Sequence, residues 1–216
     1  DNIMNAVQNM RGDVNIFISS FSIGEWGWED KKDTAVITHG IDTDLFCTTD
    51  KDRSQQILSV VNDWINRDWC CGLGIWQRVI DGLPYKVVGD TPGLSEPAAS
   101  TEELVATYQN NRIFLTTSTI SPVPTALMEA MSCGCAVVST NTCMIPEVIE
   151  HGVNGFITND ENEMKQYLVD LLNDEAMCKE IGQNARNTIV ENYSMSKFVS
   201  NWDNALRIAA DIPFRG

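Results

Sequence analysis

The chain is short of histidine, of basic residues and of long apolar runs. Only two histidines, His39 and His151, occur in 216 residues. Histidine-rich metal sites and His-centred acid–base clusters therefore have little to build on. None of the seven cysteines forms a Cys-x-x-Cys pair, which excludes a zinc ribbon. The adjacent Cys70 and Cys71 would close a strained ring if they paired with each other, and Cys133 and Cys135 sit in an apolar run as small buried residues. Free thiols and a reducing, cytoplasmic-type compartment are the expectation. No stretch approaches the about 18 consecutive apolar residues of a membrane span. The polar run Asp1–Asp13 lacks the basic-then-apolar order of a signal peptide, so none is expected. Lys and Arg total 15 against 30 Asp and Glu, a net charge of −15. Such a surface repels nucleic acid and anionic membranes. Any bound anion must be held locally, by a few cations and by backbone dipoles.

What the sequence does contain is alternation. The apolar fraction of 43% suits a packed globular chain. Short Val/Ile-rich runs at Val14–Ser19, Ala35–Thr38, Ile57–Val61, Tyr85–Gly89, Arg112–Thr116, Ala136–Ser139 and Gly155–Ile157 predict strands. They lack strict polar alternation, as strands covered on both faces do. Between them, Cys70–Asp81, Glu102–Gln109, Pro124–Cys133 and Glu163–Leu172 predict helices. Repeated strand–helix–strand order implies a parallel α/β sheet with right-handed crossovers. Met177, Ile181, Ala185 and Ile189 make one helical stripe in the tail, and Phe198, Trp202, Ala205 and Ala209 a second, capped by Ser194. Glu25–Lys32 is a polar break.

Ser121 to Ser139 carries the densest chemical signal. Pro124 suits the first turn of a helix, where a missing N–H costs little. The N–H groups of Thr125 and Ala126 then lack intrahelical partners, and the helix dipole reinforces them as a phosphate site. Glu129 lies one turn later on the same face, placed to accept two ribose hydroxyls. Its rival reading is a solvated helix residue. Gly134 ends the helix. Gly72-Leu-Gly-Ile-Trp-Gln imitates a dinucleotide fingerprint but lacks the third glycine and does not directly follow its strand. His39 reads as a hinge or packing residue.

The stretches Glu129-Ala-Met-Ser-Cys-Gly-Cys-Ala-Val-Val, Ile145-Pro-Glu-Val-Ile and Gly152-Val-Asn-Gly-Phe, with Gly40-Ile-Asp-Thr-Asp-Leu-Phe upstream and Asn192-Tyr-Ser near the end, resemble the C-terminal domain of retaining GT-B glycosyltransferases of group 1. The similarity runs over about residues 35–210. It implies a Rossmann-like parallel sheet with a helical C-terminal tail. It further implies three segments: residues 1–34 ending an N-terminal acceptor domain that is otherwise missing, 35–53 an interdomain linker, and 54–216 the nucleotide-sugar-binding domain. The implied reaction moves a sugar from a nucleoside diphosphate donor, UDP- or GDP-linked by family habit, to an acceptor hydroxyl with retention of configuration. No metal or other cofactor is implied. The catalytic groups would lie in the N-terminal domain, so none is identified in this chain.

Residue by residue, the resemblance gives Glu129 the nucleotide ribose and Thr125 and Ala126 the diphosphate. The family's first glutamate is replaced by Ser121, and its sugar-loop glycine by Pro122. Its phosphate-neutralising Arg and Lys fall on Asn62 and Arg67, so one charge is lost and one kept. The rival reading of Arg67 is a surface ion pair with Asp68. The losses at Ser121 and Asn62 motivate an alternative, a nucleotide-sugar-binding module without transferase activity. An epimerase of GT-B-like type would need a carboxylate pair and a histidine in the cleft, which the sequence does not offer.

Overall fold

The computed structural model describes residues 2–10, 12–28, 33–49, 51–121 and 123–211. The predicted alternation is present. In chain order the elements are α1 (Asn2–Asn9), β1 (Asn15–Phe17), α2 (Ser20–Glu25), β2 (Thr34–Val36), β3 (Ser54–Val60), α3 (Asp68–Cys71), α4 (Leu73–Ile80), β4 (Tyr85–Val88), α5 (Thr101–Asn110) and β5 (Asn111–Thr116). There follow α6 (Thr125–Ser132), β6 (Ala136–Ser139), α7 (Ile145–Val148), β7 (Phe156–Ile157), α8 (Glu161–Asn173), α9 (Glu175–Asn192) and α10 (Met195–Ala210).

Five strands form one parallel sheet in the order β4-β3-β5-β6-β7. Successive side chains point to opposite faces, and both faces are buried. Leu58, Phe114 and Val137 face one layer, with Met128 and Met131 of α6 and Ala185 and Ile189 of α9. Ile57, Ile113, Leu115 and Val138 face the other, with Trp76 and Val79 of α4 and Leu168 and Leu171 of α8. This is the Rossmann-like α/β arrangement expected from the unbroken apolar runs.

Local chemistry sets the helix ends. Ser100, Asp160 and Asp174 accept backbone N–H groups at the starts of α5, α8 and α9, each cap contributing about 1 kcal/mol. Ser194 occupies the expected cap position of α10, but its hydroxyl meets Ser196 Oγ at 3.1 Å instead of the backbone. At the end of α6, Gly134 (φ 73°) donates its N–H to Met131 at 2.9 Å, and Cys135 to Ala130 at 3.0 Å. That left-handed stop lets the chain enter β6 directly.

The helix expected over Cys70–Asp81 is two helices, because Gly72 adopts φ 65° between them. A Cβ there would lie 2.0 Å from the Thr117 carbonyl oxygen, so the glycine serves close backbone contact with the β5–α6 loop. β1 and β2 form their own two-stranded parallel sheet. β2 begins at Thr34 and so spans the expected boundary between 34 and 35. The segment expected to be a linker is fastened to the tail: Ile41 N–H donates to Tyr193 O, and Met195 N–H to Ile41 O, both at 2.8 Å. Of the α10 stripe, Ala205 is buried and Phe198 and Trp202 are half-buried. Val199, Leu206 and Ile208 on the same helix are exposed. Among the described residues no helix is long and apolar enough to cross a membrane. Residues 29–32 of the polar break, and Pro122, lie outside the described residues.

Candidate functional site

Counted from β3, the strand order is 2-1-3-4-5, so the order in which strands are added across the sheet reverses between β3 and β5. Loops leaving the carboxyl ends of those two neighbours diverge to opposite faces and leave a crevice, the place where open α/β sheets hold ligands. Every candidate residue lies on one of these two connections. Asn62 and Arg67 follow β3, and Ser121, Thr125, Ala126 and Glu129 follow β5.

The two connections are stitched together. Thr119 N–H donates to Cys70 O at 2.9 Å and Thr119 Oγ1 to Trp69 O at 3.1 Å. Thr117 Oγ1 donates to Gly72 O at 2.9 Å. From the far side, Thr140 Oγ1 donates to Ser118 O, and Thr142 Oγ1 to Thr119 O at 2.9 Å. The β5–α6 loop is thus held from two directions.

α6 starts differently from expectation. Pro124 stands at the cap position, before the first turn, and makes no side-chain cap. Thr125 N–H is already used by Val123 O at 3.0 Å. The N–H groups that find no acceptor among the described residues are those of Ala126 and Leu127. The N–H groups without a described acceptor are therefore one residue further along than expected, and Leu127 was not legible in the sequence.

Glu129 is half-buried on α6, and its Oε2 accepts the Tyr108 hydroxyl at 2.9 Å. Burial pushes the Glu129 carboxyl up, and the Tyr108 hydrogen bond pulls it back down. Tyr108 is fully buried at the end of α5, and that burial drives its own hydroxyl well above the usual range. It therefore stays a hydrogen-bond donor. With Oε2 held, Oε1 has no donor among the described residues. Glu129 is not a solvated helix residue. Tyr108 is 21 residues from Glu129, and no short-range pattern couples them.

Asn62 Oδ1 accepts the Asp90 N–H at 3.0 Å, tying the loop after β4 to the crevice. It positions backbone and carries no charge. Arg67 is exposed, and only the Asn62 carbonyl, at 3.4 Å, engages its Nη1. Asp68 does not pair with it: Asp68 Oδ1 accepts Gly74 N–H at 3.0 Å. Arg67 is thus a cation without a carboxylate partner among the described residues, beside the crevice. Ser121 is half-buried and donates its N–H to Cys143 Sγ at 3.4 Å, while its hydroxyl has no partner among the described residues. Among those residues no cluster of three or more His, Cys, Asp or Glu is arranged to hold a metal.

The arrangement defines a class: a Rossmann-like domain with a helix N-terminus, a held carboxylate and a free guanidinium at its switch point. Residues 97–188, less than half of the chain, match the family model described as glycosyl transferases group 1. In fold the chain is similar to the C-terminal domain of a group 1 glycosyl transferase. It is 34% identical over 79 residues to N-acetyl-alpha-D-glucosaminyl L-malate synthase of Bacillus anthracis, covering 36% of this chain and 21% of that protein. The C-terminal domain of the group 1 glycosyl transferase LpcC from Francisella tularensis superposes with a TM-score of 0.61 at 16% identity, over 72% of this chain and 100% of that one. Anabaena Alr3699/HepE in complex with UDP gives 0.77 at 19% identity, over 92% of this chain and 65% of that one. The chain spans only 15–36% of the length of the curated relatives it matches.

Proposed function

We propose that this chain supplies the donor-binding half of a retaining glycosyltransferase, which moves a sugar from a nucleoside diphosphate to an acceptor hydroxyl. The observation that carries the reading is Glu129: a carboxylate held on one oxygen by Tyr108, one turn below N–H groups that have no acceptor among the described residues, at the switch point. Glu129 Oε1 accepts the ribose hydroxyls. Ala126 and Leu127 N–H groups and the helix dipole meet the diphosphate, with Thr125 at the same turn. Arg67 grips phosphate oxygens and stabilises the leaving group, a role it fills without a metal. Ser121 offers the sugar one hydroxyl in place of a carboxylate. Asn62 shapes the crevice without neutralising charge. UDP is the first nucleotide to test, because the structurally similar HepE binds it; GDP is the second.

Residues 1–34 in this reading end an acceptor domain, 35–53 link, and 54–216 bind the donor. Retention follows from the resemblance, and the acceptor-side catalytic groups belong to the other domain. Seven free thiols favour a reducing compartment such as the cytoplasm. A thermal-shift screen with UDP, GDP, ADP, TDP and CMP tests the site. A nucleotide at a hundred times its Kd adds about 2.7 kcal/mol, or roughly 5–10 °C for this size. The shift should vanish in Glu129→Ala; a shift that survives it removes the ribose assignment. Tight nucleotide binding with no turnover once the acceptor domain is present would favour a binding module, the reading motivated by Ser121 and Asn62.

A further inference from the structure

At the opposite end of the sheet from Glu129, where the strands begin, lies a cavity of about 370 Å³. It is bounded by the segment before β3, the start of β5, the turn at Gly134 and the first half of α9. Four of the chain's 15 basic side chains line it: Lys51, Arg53, Arg112 and Lys179. Only two carboxylates, Asp52 and Glu175, oppose them. In a chain of net charge −15 this is a local excess of positive charge.

The four cations are not equivalent. Arg53 is fully used, donating to the carbonyls of Gln109, Gly134, Tyr108 and Asn111. Arg112 is not. Its side chain is only 11% exposed, and Nη1 meets Glu175 at 3.2 Å. Its Nε and Nη2 are buried without any acceptor among the described residues. Buried guanidinium donors call for an acceptor. Glu175 is 81% exposed, so it holds Arg112 weakly and can swing aside. Lys51 and Lys179 are exposed at the rim and make no ion pair with a described residue. No aromatic side chain lines the cavity, so a nucleobase has nothing to stack on. Thr48 and Gln183 join Asp52 in offering hydroxyl-binding groups.

We propose that this cavity is a second anion site, separate from the carboxyl-edge site, that takes a phosphate monoester of a small polyol. Arg112 and the two lysines receive the phosphate, with Arg112 exchanging Glu175 for it in a forked contact. Asp52, Thr48 and Gln183 receive the hydroxyls. Calorimetric titration of the full chain with ribose 5-phosphate, inorganic phosphate and ribose tests this. Ribose 5-phosphate should bind, inorganic phosphate more weakly, and ribose without measurable heat. The Lys51→Ala/Lys179→Ala variant, which alters only exposed side chains, should lose about tenfold or more in affinity. Arg112→Met should abolish binding, and Arg67→Ala at the other edge should leave it intact. No heat with ribose 5-phosphate, unchanged affinity in the double-lysine variant, or loss of binding in Arg67→Ala would each overturn the site. Inorganic phosphate binding as tightly as the ester would overturn its assignment to a polyol.

Discussion

Tyr108→Phe isolates the contact on which the proposed donor site depends. The substitution removes one hydroxyl and leaves the ring in its fully buried place between Phe46 and Phe114. What is lost is a 2.9 Å hydrogen bond to a carboxylate. Bonds to charged groups contribute about 1.5–3 kcal/mol, against about 0.5–1.5 for neutral pairs. Glu129 is only half-buried, so water can replace part of the bond, and the lower end, about 1.5 kcal/mol, is expected. For a chain of this size that is a fall in Tm of roughly 3–6 °C. The pH dependence is the sharper test. The bond favours the ionised carboxyl, so removing it raises the Glu129 pKa further above its already elevated position. The stability gap between wild type and Tyr108→Phe should therefore be widest above that pKa. It should narrow as the pH falls through it, where the bond becomes neutral. In a Glu129→Gln background the gap should stay narrow at every pH. Denaturant melts of the four chains at neutral and acid pH measure this directly. A gap that is the same at both pH values, or as wide in the Glu129→Gln background, would refute the coupling.

Other outcomes follow from the same contacts. Glu129→Gln should raise stability near neutral pH, because a carboxyl whose pKa is raised by burial favours folding below its unfolded pKa and loses that advantage as the pH rises; UDP binding should fall in the same variant, read by thermal shift with and without nucleotide. Gly72→Ala places a Cβ 2.0 Å from the Thr117 carbonyl oxygen at φ 65°; it should cost about 1–3 kcal/mol and weaken nucleotide binding by parting the two loops, read by melts and calorimetry. Arg53→Met removes the donor from four carbonyls at the ends of α5 and α6 and should destabilise by about 3–5 kcal/mol, read by urea denaturation. Alkylation at neutral pH followed by mass spectrometry should modify Cys47 and Cys143 first. Cys71, buried and with its thiol pushed up to about 11, should react slowly.

The sequence alone located the strands and the helices of the α/β alternation and the tail, because apolar runs, Gly134 and the cap residues act over a few residues and leave a periodic trace; the short helices α1, α2 and α7 and the break at Gly72 were not read from it. It also singled out Glu129 and the start of α6, since a helix N-terminus with a carboxylate one turn on is a local pattern. It could not show that Thr125 N–H is taken by Val123, a matter of one backbone angle at Pro124, nor that Asp68 turns to Gly74 and leaves Arg67 unpaired. Tertiary structure decided the rest. Strand order put β3 beside β5 and so made one crevice from two loops 50 residues apart, as between Thr119 and Trp69. Packing of α5 against α6 brought the Tyr108 hydroxyl to Glu129. The Arg112 Nε and Nη2, buried with no acceptor among the described residues, arose the same way, at a place where four separate segments meet. Such pairings depend on crossovers and layer packing, which side-chain periodicity does not encode.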